Sequence, residues 1–249
     1  MILLLSESKR YLTYFERVAG ISLTKSIEET PYGSVEIAKN DNIIFVENMG
    51  LAPMGVAYIL EKYKVDAMGM VSKVGGINTL LDVGDVLLVD DYIDNTTCRP
   101  KSYVEQTRKG IKIRYDMGTP FCKEWRQRVW NHLKTNEIKQ KVNVFRYGTY
   151  VCTDGPGFES DAEIKTFRGW GADLVGHWIS PFVYYARELN ICFISIAVVS
   201  NVYDKDTNDM LDNDENNELF GKLYQLIVET QPDVTCDCQS SHIIQYEHY

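Results

Sequence analysis

Short apolar runs bounded by polar residues recur along the chain, separated by stretches whose apolar residues fall three and four apart. Ile2–Leu5, Val35–Ala38, Ile43–Val46, Ala67–Val71, Val86–Val89 and Ile191–Ser200 read as strands, and Val142–Thr153 as one long strand. Met54–Tyr63, Glu124–Leu133, Asp161–Trp170, Ser180–Leu189 and Leu219–Glu229 have helical spacing, the last ended by Pro232. Asp154-Gly155-Pro156-Gly157 fits neither element and reads as a loop, Asp90–Lys101 as a polar connection, and Ser72–Gly76 as a strand end followed by a glycine-rich turn. Such a turn can present backbone N–H groups to an anion or a sugar, or be a purely structural tight turn. The alternation predicts an α/β fold: a single domain over residues 1–249 with a central mixed β-sheet flanked by helices on both faces. Polar residues at strand ends within Gly148–Asp204 mark the place for a ligand, because α/β sheets bind ligands beyond the carboxyl ends of their strands.

The chain has 249 residues, 45% of them hydrophobic, enough for a sizeable core. A formal net charge of −9 argues against nucleic acid or an anionic membrane as partner. No apolar run reaches bilayer length, and Met1–Leu5, followed at once by Glu7, Lys9 and Arg10, reads as a buried first strand instead of a signal peptide. The six cysteines (Cys98, Cys122, Cys152, Cys192, Cys236, Cys238) show no zinc-finger spacing, so a reduced, cytoplasmic setting and no metal are expected. Cys236-Asp237-Cys238 has the look of a redox pair, with His242 and His248 nearby as metal candidates. Incidental cysteines in a polar tail are the reading taken. In the acidic stretch Asp204–Glu218, Asp204, Asp206, Asn208, Asp212 and Glu215 fit a calcium-loop spacing. Asp209 stands where that loop needs glycine, so a solvated loop is expected.

Several motifs agree in order and spacing with one family. Asp154–Glu163, Gly171–Pro181, Ile191–Asp204 and Asp90–Tyr103 together resemble the purine nucleoside phosphorylase family, nearest its 5′-methylthioadenosine branch. The resemblance spans almost the whole chain and implies a nucleoside phosphorylase-like fold, a purine nucleoside as partner, no resident cofactor, and a homotrimer or a mixed trimer with a paralogue. It makes Phe158 the aromatic that packs on the purine, with Glu159 and Asn201 facing the base. A carboxylate accepts from the N1–H of a 6-oxopurine, and an Asn amide donates to N7 or O6, so this pair points to that substrate class. The structural alternative is that Glu159 caps a helix and Asn201 ends a strand. His177 replaces the methionine usual under the ribose and is placed in the sugar site or, alternatively, in the core.

The phosphate cradle departs from the family pattern. The first-strand loop is Ser6-Glu7-Ser8, Glu47-Asn48-Met49-Gly50 replaces basic residues after Ile43–Val46, Trp178 stands where a hydroxyl is expected, and Lys73 follows Ser72 at a usually small position. A carboxylate in that loop opposes an anion through Coulomb repulsion. Three readings follow. Water replaces phosphate as nucleophile, with Glu7 or Glu47 as base and Asn201 and Glu159 stabilising the leaving purine. Alternatively, phosphate returns to a site rebuilt from Lys73, Ser72 and Arg99. In the third, the chain binds nucleoside without turnover, as a sensor or a partner subunit.

Overall fold

The computed structural model describes residues 1–47, 49–50, 52–135, 138, 142–205, 214–232, 236–239 and 243–248. The chain opens with β1 (Ile2–Leu5), α1 (Arg10–Ala19), β2 (Thr24–Thr30), β3 (Gly33–Lys39), β4 (Ile43–Val46), α2 (Pro53–Lys62) and β5 (Ala67–Gly76). It continues through β6 (Val86–Leu88), β7 (Asp91–Asp94), α3 (Tyr103–Thr107), β8 (Ile111–Tyr115), α4 (Lys123–Leu133), β9 (Val144–Phe145) and β10 (Thr149–Cys152). Last come α5 (Asp161–Gly169), β11 (Leu174–Gly176), α6 (Phe182–Glu188), β12 (Cys192–Val202), α7 (Asp214–Glu229) and β13 (Ile243–His248).

Eleven strands form one mixed sheet, in the order β2-β3-β4-β1-β5-β11-β10-β7, with β12 also on β5 and leading to β6 and β9. β8 and β13 make a separate antiparallel pair. The period-two alternation of β1 divides the core. Leu3 and Leu5 face a layer with Val56, Ile59 and Leu60 of α2 and Phe182, Val183 and Ala186 of α6. Ile2 and Leu4 face the opposite layer, with Phe15 of α1, Trp125 of α4 and Phe220, Leu223 and Ile227 of α7. Both faces of the central strands are thereby dry, which is why β1 and β4 read as unbroken apolar runs. The α/β expectation, a mixed sheet with helices on both faces, holds.

Four expectations need correction. Asp90–Lys101 is not only a connection, since Asp91–Asp94 forms β7 and pairs with β10. Ser72–Gly76 is the far end of β5, not a turn: Gly75 and Gly76 pair with β11 on one side and β12 on the other. A Cβ on Gly75 would lie 3.1 Å from Val175, and one on Gly76 3.2 Å from Val202, so glycine lets three strands converge. Val142–Thr153 is two strands, since β9 pairs with β6 whereas β10 pairs with β7 and β11. The tail cysteines are not a polar surface feature: Cys236 is buried and Cys238 half-buried. The calcium-like positions Asp206, Asn208, Asp209 and Asp212, and also His242, lie outside the described residues.

Candidate functional site

β1 stops at Leu5, opposite Met70, while β5 and β12 run on, and a cavity of about 530 Å³ opens over the step. That volume suits a small-molecule ligand. Glu7, Ser8, Lys73, Phe158, Glu159, His177, Trp178 and Asn201 all line it. Of the residues predicted for the site, Glu47, Arg99 and Ser72 do not line it, and Ser72 lies inside the sheet. Its side chain is buried within β5 and its Oγ has no hydrogen-bond partner among the described residues.

Glu7 continues the ladder that β1 abandons. Its Oε1 accepts the Lys73 N–H at 3.0 Å, and the Trp178 and Tyr11 side chains hydrogen-bond it as well. Burial pushes its carboxyl up to about 7, more than these hydrogen bonds and the Lys73 charge pull it down. The Trp178 indole also fills the space beside the segment after β4, where a Cβ on Gly50 would sit 2.4 Å from its ring. Ser8 is tied into the turn entering α1, its Oγ accepting the Arg10 N–H at 3.4 Å. Glu47, the other proposed base, does not line the cavity. It is buried and lies 3.5 Å from Lys25 Nζ.

At the end of β10, Thr153 joins the two residues expected on base and sugar. Its Oγ1 donates to Glu159 Oε1 at 2.7 Å and lies 2.9 Å from His177 Nδ1. The hydroxyl has one proton, and with that proton on Glu159, Nδ1 must be the donor. The neutral ring then keeps Nε2 as an acceptor. Ser160 caps α5 in a reciprocal capping box with Glu163, so Glu159 is the residue before the cap and not the cap itself. Asn201 follows an irregularity in β12: the register against β5 shifts between Val199 and Asn201, leaving Ser200 as the extra residue. Such a bulge re-aims the next side chain, and the Ser200 hydroxyl lies 3.1 Å from Asn201 Oδ1. Phe158 stands at the rim, 78% exposed.

Arg99 is occupied elsewhere. Its guanidinium donates to the carbonyls of Thr153 (3.1 Å), Asp154 (3.2 Å), Ser180 (2.5 Å) and His177, and pairs with the Asp154 carboxylate at 3.4 Å. It clamps the loops after β10 and β11 and does not line the cavity.

The sequence reading missed Arg10, Tyr11, Tyr203 and Asn217, which also line the cavity. Arg10 and Tyr11 belong to α1, whose buried Tyr11, Leu12 and Phe15 do have helical spacing. Asn217 on α7 is buried, with an Oδ1 that has no partner among the described residues. Nothing in its sequence context marks it.

The model of the phosphorylase superfamily matches residues 22–230. The chain belongs to the phosphorylase superfamily. This superfamily member is 30% identical over 233 residues to the "Probable 6-oxopurine nucleoside phosphorylase" of Dictyoglomus turgidum, covering 85% of this chain and 86% of the relative. It is 32% identical over 188 residues to the "Probable S-methyl-5'-thioinosine phosphorylase" of Thermodesulfovibrio yellowstonii, covering 70% and 69%. Its fold is that of a methylthioadenosine phosphorylase sourced from an antarctic soil metagenomic library, with a TM-score of 0.74 at 21% identity over 97% of this chain and 90% of the other.

Proposed function

We propose that this protein cleaves the N-glycosidic bond of a 6-oxopurine nucleoside with water as the nucleophile. The observation that carries the reading is Glu7, a carboxyl on the cavity wall that is hydrogen-bonded from three sides and that burial pushes up to about 7. A base that titrates near the working pH combines a useful ionised fraction with useful proton affinity. Water would attack C1′ and pass a proton to Glu7, while the C1′–N9 bond breaks and its electron pair leaves with the purine. The Asn201 amide and Glu159 would hold the departing base through N7, O6 and N1–H. His177, with Nε2 as acceptor, would take a ribose hydroxyl. The names of the two relatives favour the same base class, since inosine carries hypoxanthine.

The test is release of hypoxanthine from inosine in phosphate-free buffer, with ribose as co-product. Glu7→Gln is expected to lower the rate by about 10²–10⁴-fold. Strict dependence on phosphate, with ribose 1-phosphate formed, would overturn the hydrolytic step. A second reading, phosphorolysis, is favoured by Lys73, Arg10 and Ser8 on one cavity and by the relatives' names. Ser72 and Arg99, the other residues of that reading, lie off the cavity. Nucleoside binding without release of base in either buffer would favour the sensor or partner-subunit reading.

A further inference from the structure

Four cysteines spread over more than a hundred residues of sequence meet at one point. The Sγ atoms of Cys122, Cys192, Cys236 and Cys238 all lie within 4.8 Å of one another. All four are free thiols, and the shortest contact recorded among them, Cys192 to Cys236, is 2.8 Å. A disulfide needs about 2.05 Å. A tetrahedral zinc–thiolate centre with bonds of about 2.3 Å has sulfur–sulfur edges of about 3.8 Å, which is the scale of this cluster.

Two further features suit an anionic centre. Cys122 is the N-cap of the eleven-residue helix α4, and its sulfur accepts the Trp125 N–H at 3.4 Å, so the helix N-terminus faces the cluster. Arg187 on α6 is buried within electrostatic reach of Cys122, Cys192 and Cys238, and its Nε has no hydrogen-bond partner among the described residues. Four cysteine sulfurs beside a buried guanidinium form a soft site whose second shell already holds a counter-charge for the thiolates that a bound metal would create.

We infer that Cys122, Cys192, Cys236 and Cys238 bind one zinc ion as a closed structural centre. Each thiol gives up its proton as the metal enters, and four protein ligands leave no open position for a reacting water. The centre fastens the segment after α7 to the start of β12 and to the head of α4. Cys98, exposed and outside the cluster, takes no part.

The experiment uses the full-length protein purified under reducing conditions and measures metal by elemental analysis. About one zinc per chain is expected, kept in Cys98→Ser and lost in Cys238→Ser together with a fall in melting temperature. Because a cysteine variant can fail to fold, the wild-type protein is also stripped with a chelator and titrated with cobalt(II). The expected signature is thiolate-to-cobalt charge-transfer absorption with tetrahedral d–d bands, displaced by zinc. Two results would overturn the inference: reduced protein that neither carries zinc nor shows these bands, or a protein mass that shows the four thiols joined as disulfides.

Discussion

A carboxyl that burial pushes up to about 7 gives the site a pH signature belonging to one residue. If Glu7 is the base, turnover rises with pH through about 7 and levels above it, and Glu7→Gln removes that limb along with most of the rate. Stability responds in the opposite sense. The folded value lies above the ordinary 4.5, so the contribution of Glu7 is present below about 4.5 and is lost as pH rises through about 7. Glu7→Gln is therefore expected to melt higher than the wild type at pH 8 and to lose that advantage near pH 4, as calorimetry can check. Thr153 is a positioning residue of a different kind. Thr153→Val keeps the shape but removes the hydroxyl shared by Glu159 and His177. The expected cost is about 1–3 kcal/mol of stability, with a KM for inosine raised about tenfold and a smaller change in kcat.

Among the elements, the segment after β4 and the loop after β11 touch through Gly50 and Trp178. Gly50→Ala puts a Cβ 2.4 Å from the indole ring, an overpacking expected to cost about 1–3 kcal/mol. Thermal melting should show the loss, and Trp178→Leu in the same chain should restore most of it. Asp94 in β7 gives an acid-side test. Burial raises its carboxyl, but bonds from Thr96, Tyr184 and Lys101 outweigh that and leave it below the ordinary value. Its stabilisation is present above the unfolded pKa and lost as pH falls through the folded one. Asp94→Asn should accordingly flatten the acid limb of the stability curve below about pH 4. The buried elements were legible because β1, β4 and β12 show continuous apolar runs, and α4 and α5 a helical period. β2 was not, since most of its residues are exposed and it carries no apolar stripe. The glycines of β5 looked like a turn because their reason, strands crowding from both sides, is a tertiary fact. Glu7, Lys73, His177 and Asn201 were legible through motif order. Thr153 touches Glu159 and His177, and Asn217 reaches the cavity from α7, only once the chain is folded.

For the whole molecule, the two apolar layers make the sheet a rigid floor, and no described helix is long and apolar enough to cross a membrane. The site is assembled from chain segments far apart in sequence, the loop after β1, the end of β5, the loops after β10 and β11, and the end of β12. Arg99 holds two of those loops with a single side chain. Because a guanidinium has one plane and one fixed fork, a shift in the loop bearing Glu159 is transmitted to the loop bearing His177. If Glu159 holds the purine and His177 the sugar, discrimination at the two ends ceases to be independent. A nucleoside altered at both ends would bind with a free energy different from the sum of the two single alterations, and that non-additivity would vanish in Arg99→Met.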